Sequence, residues 1–400
     1  MNLFLLASVV LILLSSIGVV AASSFVYGLH LPKSGHKGRV TLILPISGAC
    51  PYLPQLIANL NAQSLQPHRL IITVESKQDP AYLCAQKAMG NAKFSVDLAI
   101  AGLANKCAQK CWNQIAAIHQ LDEHDDAIIL MDGDIEPPPW WLSVLVSPLL
   151  AGKADVVTGY RWHRTTRLAP AQHLIASIDR GIAMLPSLRC ANLTWGGSLA
   201  LSPSALATLN LPLLLSRVLS DDCTIGAQAA ALGLRVLTRK LLRVPTPPHK
   251  NIASAWNFGR RQYQIIHIYR PGLWALALGI LSIRLLAWGI ILANLADKAT
   301  DTSFVLVALI CLNLTTVALQ QQAAGRLGLH DDLPCCLGQI VCALLRPLID
   351  LFHWTLVVTA WRSKNLHWGH VNYRIHGQNC IQIANRISWT TLESNNDRYQ

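Results

Sequence analysis

Residues 3–22 carry no charged side chain and are almost wholly apolar, and a run of that length constrains the fold more than any other feature of the chain. At about 1.5 Å rise per residue, a helix over it crosses the roughly 30 Å hydrocarbon core of a bilayer. Two more runs repeat the pattern: 273–296, with Arg284 as its one charge, and 304–319, which has none. The short link between them predicts a membrane hairpin over 273–320. A cleaved signal peptide competes for the first run. No basic stretch precedes it, however, and it exceeds the roughly 7–15 apolar residues of a signal core, so an uncleaved anchor over 1–26 is expected.

An apolar content of 52% and a mean hydropathy of +0.35 are high for a soluble enzyme. Yet 33 Lys+Arg and 21 Asp+Glu exceed what spans alone would carry, so a water-soluble domain joined to membrane segments is implied. Lys33, His36, Lys37 and Arg39 follow the anchor, and cations beside a span predict a cytosolic domain. The net charge of +12 is dispersed rather than gathered into a patch, which argues against nucleic acid as a partner and for anionic lipid and a diphosphate ligand. Eleven cysteines, an odd number that includes Cys311 and Cys342 within apolar runs, predict no disulfide framework. Cys107 and Cys111 lack a second pair at zinc spacing.

Between 37 and 255, short apolar runs alternate with helical ones, the pattern of an α/β domain around a mainly parallel, Rossmann-like sheet. Strands are expected at 40–45, 69–74, 127–131 and 156–161, and helices at 53–65, 82–89, 108–121 and 223–232. The strand at 127–131 runs directly into Asp132, Gly133 and Asp134, at the end of a strand where open α/β sheets bind ligands. A stretch at 339–362 is apolar but contains Arg346, Pro347, Asp350 and His353. Ionisable groups at membrane depth are costly, so a re-entrant or interfacial hairpin is expected there, followed by a cytosolic tail over 363–400.

The D-x-D of Asp132 and Asp134 offers two hard carboxylates that can hold Mg²⁺ or Mn²⁺ against the diphosphate of a nucleotide sugar; a solvated acidic turn is the plain alternative. Asp79 suits a ribose or base edge after a βαβ strand, or simply an Asp-Pro turn. Asp222 follows Asp221 at a helix start. N-capping would explain it, but a crowded carboxylate also suits a general base. Trp195 with Gly196 and Gly197 is a place where backbone can approach a ligand closely; together with Asp221 it is assigned to the acceptor side. Arg260, Arg261, Gln262 and Tyr263 precede a span. They read either as interface anchors or, over 256–272, as a segment closing on the donor diphosphate.

In order, the stretches VTLILPISG at Val40, ESKQDPA around Asp79, QKCWN at Gln109, IILMDGDIEP at Ile128, VVTGYRW at Val156, TWGGSLAL at Thr194, LSDD at Leu219 and WGHVNYRI at Trp368 resemble the family-2 glycosyltransferases, and within them the ceramide glucosyltransferase group. The resemblance implies a GT-A catalytic domain. It further implies nucleotide binding by Asp79, donor-pocket roles for Lys110 and Asn113, metal binding by Asp132 and Asp134, and Asp222 as catalytic base. The family's final Arg-Trp is replaced by Gln262 and Tyr263 in GRRQY, a departure that bears on donor and acceptor identity. The implied reaction is an inverting transfer of glucose from UDP-glucose to a ceramide-like lipid hydroxyl at a bacterial inner membrane or a eukaryotic endomembrane. A processive polysaccharide synthase ranks second, since polymer channels usually need more spans, and a silent membrane scaffold third. Oligomeric state stays open.

Overall fold

A computed structural model describes residues 3–30, 38–186, 193–296 and 299–389. The chain divides into a helical unit (Met1–Leu29, Trp162–Pro186, Pro247–Ser363) and an α/β unit (His30–Arg161, Ser187–Thr246, Lys364–Gln400). It opens in the helical unit with α1 (Leu3–Tyr27), which buries Phe4, Ala7, Ser8, Leu11 and Ser15 along one face at helical spacing. Of the basic cluster after it, Lys33, His36 and Lys37 lie outside the described residues.

The α/β unit follows as β1 (Val40–Pro45), α2 (Leu53–Asn61), β2 (Arg69–Val74), α3 (Pro80–Met89), β3 (Ser95–Ile100), α4 (Gln109–Ile118), β4 (Ala127–Met131), α5 (Trp141–Leu150) and β5 (Val156–His163). After α6 (Pro170–Ala183), which belongs to the helical unit, come β6 (Ser198–Leu201), α7 (Pro203–Leu209), α8 (Leu211–Leu215), α9 (Asp221–Ala231) and β7 (Val236–Thr246). The sheet order is β3-β2-β1-β4-β6-β5-β7. β1 is parallel to β2 and β4, and β2 is parallel to β3. β1 and β4 are aliphatic and buried almost throughout, as parallel strands covered on both faces must be. β6 is antiparallel to both β4 and β5. Gly159 on β5 admits the neighbouring chain, since a Cβ there would lie 2.6 Å from the Leu242 carbonyl oxygen of β7.

The helical unit continues with α10 (Ile252–Tyr269), α11 (Pro271–Ala293), α12 (Ala299–Leu327), α13 (Leu333–Leu344) and α14 (Arg346–Arg362). Among the described residues, three helices are long and apolar enough to cross a membrane: Leu3–Tyr27, Pro271–Ala293 and Thr300–Leu327. Their common seam holds Phe4, Leu11, Trp288, Ile291 and Leu309. Leu13, Ile17, Leu286, Phe304 and Val307 face outward, a surface suited to lipid. The stretch flagged for its charges is a bent pair, α13 and α14 meeting at 83°. Asp350 is fully buried and accepts from Arg284 Nε at 2.8 Å, Arg346 Nε at 2.9 Å and Trp288 Nε1 at 3.2 Å. The three ionisable residues, read singly in the sequence, form one compensated cluster that ties α14 to α11, as burial of a carboxylate requires.

Beyond α14 the segment expected as a tail holds β8 (Asn365–Trp368), β9 (Val371–Gly377) and β10 (Cys380–Arg386), an antiparallel three-stranded sheet of the α/β unit.

Candidate active site

Because β1 to β4 are parallel, their C-terminal ends share one edge. β4 delivers Asp132 there. β6 runs the other way, with Ser198 opposite Met131, so Trp195, Gly196 and Gly197 reach the same edge. They meet the start of α9. Thr194 Oγ1 donates to the Asp222 carbonyl at 2.6 Å, and the Gly196 amide donates to Asp222 Oδ2 at 3.2 Å. Ser220 is the N-cap of α9, so Asp221 and Asp222 occupy its first turn, where the helix dipole favours negative charge.

Lys110 joins these groups. It lies in the first turn of α4, and its Nζ is 2.7 Å from Asp132 Oδ1 and 3.0 Å from Asp221 Oδ2. One turn on, Gln114 Nε2 donates to the same Asp221 oxygen at 2.7 Å, as i,i+4 spacing allows. Burial alone would lower the pKa of Lys110, but Asp132, Asp221 and Asp222 hold it well above the ordinary lysine value. Burial pushes Asp221 up, yet Lys110 and Gln114 outweigh it and its pKa is lowered. Asp222 moves the other way: burial first, then the charge of Asp221, raise it above the usual carboxylate value. The two adjacent carboxylates are thus driven apart, Asp221 lowered and Asp222 raised. Gly196 makes the cluster possible, since a Cβ there would lie 2.8 Å from Lys110 Nζ and 3.0 Å from Asp221 Oδ2.

On the β1–β2 side, Asp79 caps α3. Its Oδ1 accepts from the Gly48 amide at 2.7 Å and the Ala81 amide at 2.9 Å, while its Oδ2 is buried without a partner. Burial first, then the charge of Glu75, raise its pKa in spite of those two amides and the Ser47 hydroxyl. Asp79 thus caps α3 through one oxygen and keeps the other buried without a hydrogen bond. Asn113, 1% exposed, donates to the carbonyls of Ile46 and Thr73 and accepts from Gln109 Nε2, fastening α4 to the ends of β1 and β2. Asp134 is exposed beyond β4.

Arg260, Arg261, Gln262 and Tyr263 lie on α10 of the helical unit. Arg260 donates to Ser363 Oγ at 3.2 Å, Tyr263 Oη shares a hydrogen bond of 2.9 Å with His353 Nδ1, and the Arg261 guanidinium lies 5.7 Å from the Phe258 ring. Sequence reading missed Gln109 and Gln114, whose i,i+4 partners Asn113 and Lys110 were the available signal. It also missed Glu75, bonded to His370 and Arg386, for which no local signal exists.

A mainly parallel sheet of this order, with an Asp-Gly-Asp at the end of β4 and two aspartates at the head of α9, is the architecture of a GT-A glycosyltransferase. The chain belongs to glycosyl transferase family 21, whose model matches residues 8–381, and it is an enzyme of that kind. Its fold is shared with the mannosyltransferase PcManGT from Pyrobaculum calidifontis, solved with GDP-Man and Mn²⁺. The two are 14% identical with a TM-score of 0.51, over 86% of this chain and 99% of that one. Glucosyl-3-phosphoglycerate synthase from Mycobacterium tuberculosis, solved with Mn²⁺, UDP and phosphoglyceric acid, is more distant. It is 16% identical with a TM-score of 0.38, over 60% of this chain and 83% of that one. No sequence match to a curated protein was found.

Proposed function

We propose that the protein transfers a hexose, glucose in the first instance, from UDP-glucose or a close relative to the hydroxyl of a ceramide-like membrane lipid, with inversion, on the cytosolic face of the membrane. The observation that carries this reading is the split pair at the head of α9: Asp221 neutralised by Lys110, and Asp222 raised in pKa beside it. Asp222 takes the proton of the lipid hydroxyl, and the oxygen attacks the anomeric carbon. The bond to the diphosphate breaks on the opposite face, and the nucleoside diphosphate leaves with the bonding pair. No covalent sugar intermediate is required.

Asp132 and Asp134 fit a hard divalent cation of the Mg²⁺ or Mn²⁺ type. Two carboxylates leave the remaining positions of such an ion to donor phosphates and water. When bound, the ion supplies Lewis-acid stabilisation of the departing diphosphate. Lys110 adds a fixed positive charge at the same edge, and Gly196 admits it. Asp79 binds the nucleoside through its unpartnered Oδ2. In the same reading Asn113 supports the donor pocket, and Trp195, Gly196, Gly197 and Asp221 border the acceptor. Arg260, Arg261, Gln262 and Tyr263 keep a donor-binding role on the strength of the arginine pair, whose guanidinium groups suit a diphosphate. The outward apolar faces of α1, α11 and α12 supply the bilayer contact from which a lipid acceptor arrives.

The test is purified protein in nanodiscs with Mn²⁺, UDP-glucose and ceramide, followed by mass analysis of the lipid. A single added hexose is expected, and a polymer ladder would favour the processive reading instead. Asp222→Asn should abolish transfer while retaining donor binding; turnover by that variant would remove the assigned base.

A further inference from the structure

The three-stranded sheet β8–β10 is fastened to the nucleotide edge of the same α/β unit by buried charge. Glu75, the residue after β2, is 3% exposed. Its Oε1 lies 3.0 Å from His370 Nε2 and its Oε2 3.1 Å from Arg386 Nη1. Arg386 Nη2 reaches on to the Ala104 carbonyl and to Gln109 Oε1, each at 2.9 Å. Tyr373, at the centre of the small sheet, accepts from the Gln109 amide at 3.1 Å. Breaking such buried charge-assisted bonds is costly, so residues 365–386 are a fixed part of the rim.

What this latch holds in place is Trp389. Its ring packs against His370 with centroids 4.0 Å apart and planes tilted by 39°. Its six-membered edge covers Gly48, coming within 3.1 Å of where a Cβ would stand. Gly48 has φ +73, a conformation glycine adopts without strain, and its amide is the one that holds Asp79 Oδ1. A half-exposed indole and a buried, unpartnered carboxylate oxygen are therefore both anchored on one glycine. A pyrimidine base presents a flat face that stacks on an aromatic ring and an imide N–H that needs an acceptor.

We propose that Trp389 is the stacking wall of the nucleobase subsite beside Asp79, with Glu75, His370 and Arg386 as positioning residues for Trp389. This rests on the reading of the site as a nucleotide-sugar pocket and adds the element that selects the nucleoside. The experiment compares wild-type, Trp389→Phe and Trp389→Ala full-length proteins in nanodiscs with Mn²⁺, measuring dissociation constants for UDP and for inorganic pyrophosphate. Trp389→Ala should weaken UDP by roughly 5- to 140-fold, the ~1–3 kcal/mol of one base–aromatic stack, and leave pyrophosphate within about twofold. Trp389→Phe should keep most of the UDP affinity. Unchanged UDP binding in Trp389→Ala, or equal weakening of both ligands, overturns this proposal alone. A wild-type protein that binds pyrophosphate but gains nothing from the nucleoside overturns it as well, and one that binds neither ligand overturns the nucleotide-sugar reading beneath it.

Discussion

Replacing Lys110 with Met removes the ammonium that neutralises Asp221, whose side chain is 2% exposed. At an effective dielectric near 20, unit charges about 3 Å apart attract by ~5–6 kcal/mol. Desolvation offsets much of that, and stranding one partner of a buried pair costs about 3–5 kcal/mol. Gln114 still donates to Asp221 in the variant, which favours the lower end, about 3 kcal/mol, or a loss of roughly 6–12 °C in Tm for a domain of this size. Metal-free protein in nanodiscs, unfolded at a fixed scan rate, would report it. The pH dependence gives a second handle. In the wild type the folded pKa of Asp221 is lowered, so its stabilisation is present above the unfolded pKa and is lost as pH falls through the folded value. In Lys110→Met burial acts without the ammonium and the folded pKa rises. The penalty then applies at neutral pH and shrinks on acidification, so the gap between the two proteins narrows as pH falls. The double variant Lys110→Met/Asp221→Asn should recover at least ~2 kcal/mol relative to additivity. A gap that does not change with pH, together with additive losses, would refute the assigned pair.

The acid limb of the pH–kcat/KM profile should lie above the ordinary carboxylate range, because burial and Asp221 raise Asp222 and the base works only when deprotonated. Asp221→Asn should move that limb to lower pH, and a limb at the ordinary carboxylate value in the wild type would count against Asp222. Gly159→Ala should destabilise the sheet by about 1–3 kcal/mol, since its methyl would fall 2.6 Å from a backbone oxygen of β7; an unchanged Tm would show that the β5–β7 contact is looser than described. Asp350→Ala leaves Arg284 and Arg346 without their shared carboxylate and should cost about 3–5 kcal/mol, measurable as faster thermal inactivation in detergent. Wild-type half-lives would argue that the cluster does not hold α14 to α11.

The strands legible in the sequence are those with one chemical character. β1, β2 and β4 are apolar apart from Thr41, Arg69 and Thr73, as strands covered on both faces are, and their expected and observed bounds coincide. β3 was not foreseen. It is an edge strand, half-exposed, with Asp97 in its middle satisfied by Arg69 of the neighbouring β2, so no apolar periodicity marks it. Expected helix ends overran by a few residues at Asn61 and Ile118, where nothing in composition signals the stop. In the site, the acidic residues were visible because charge directly after a buried strand or at a helix head is unusual. Glu75, Gln109 and Arg386 were not, because their meaning lies in partners up to 311 positions away. The bend between α13 and α14 was visible through the cost of Arg346 and Asp350 in an apolar run. Their partnership with Arg284 needed the fold.

The latch from Arg386 to Glu75 has a consequence for biosynthesis. Translation delivers β2 early and β10 only after every apolar helix has left the ribosome, so the nucleotide rim is finished last. Until then Glu75 is without its partners His370 and Arg386. The long apolar helices are in this way complete before the strand that closes the latch is made.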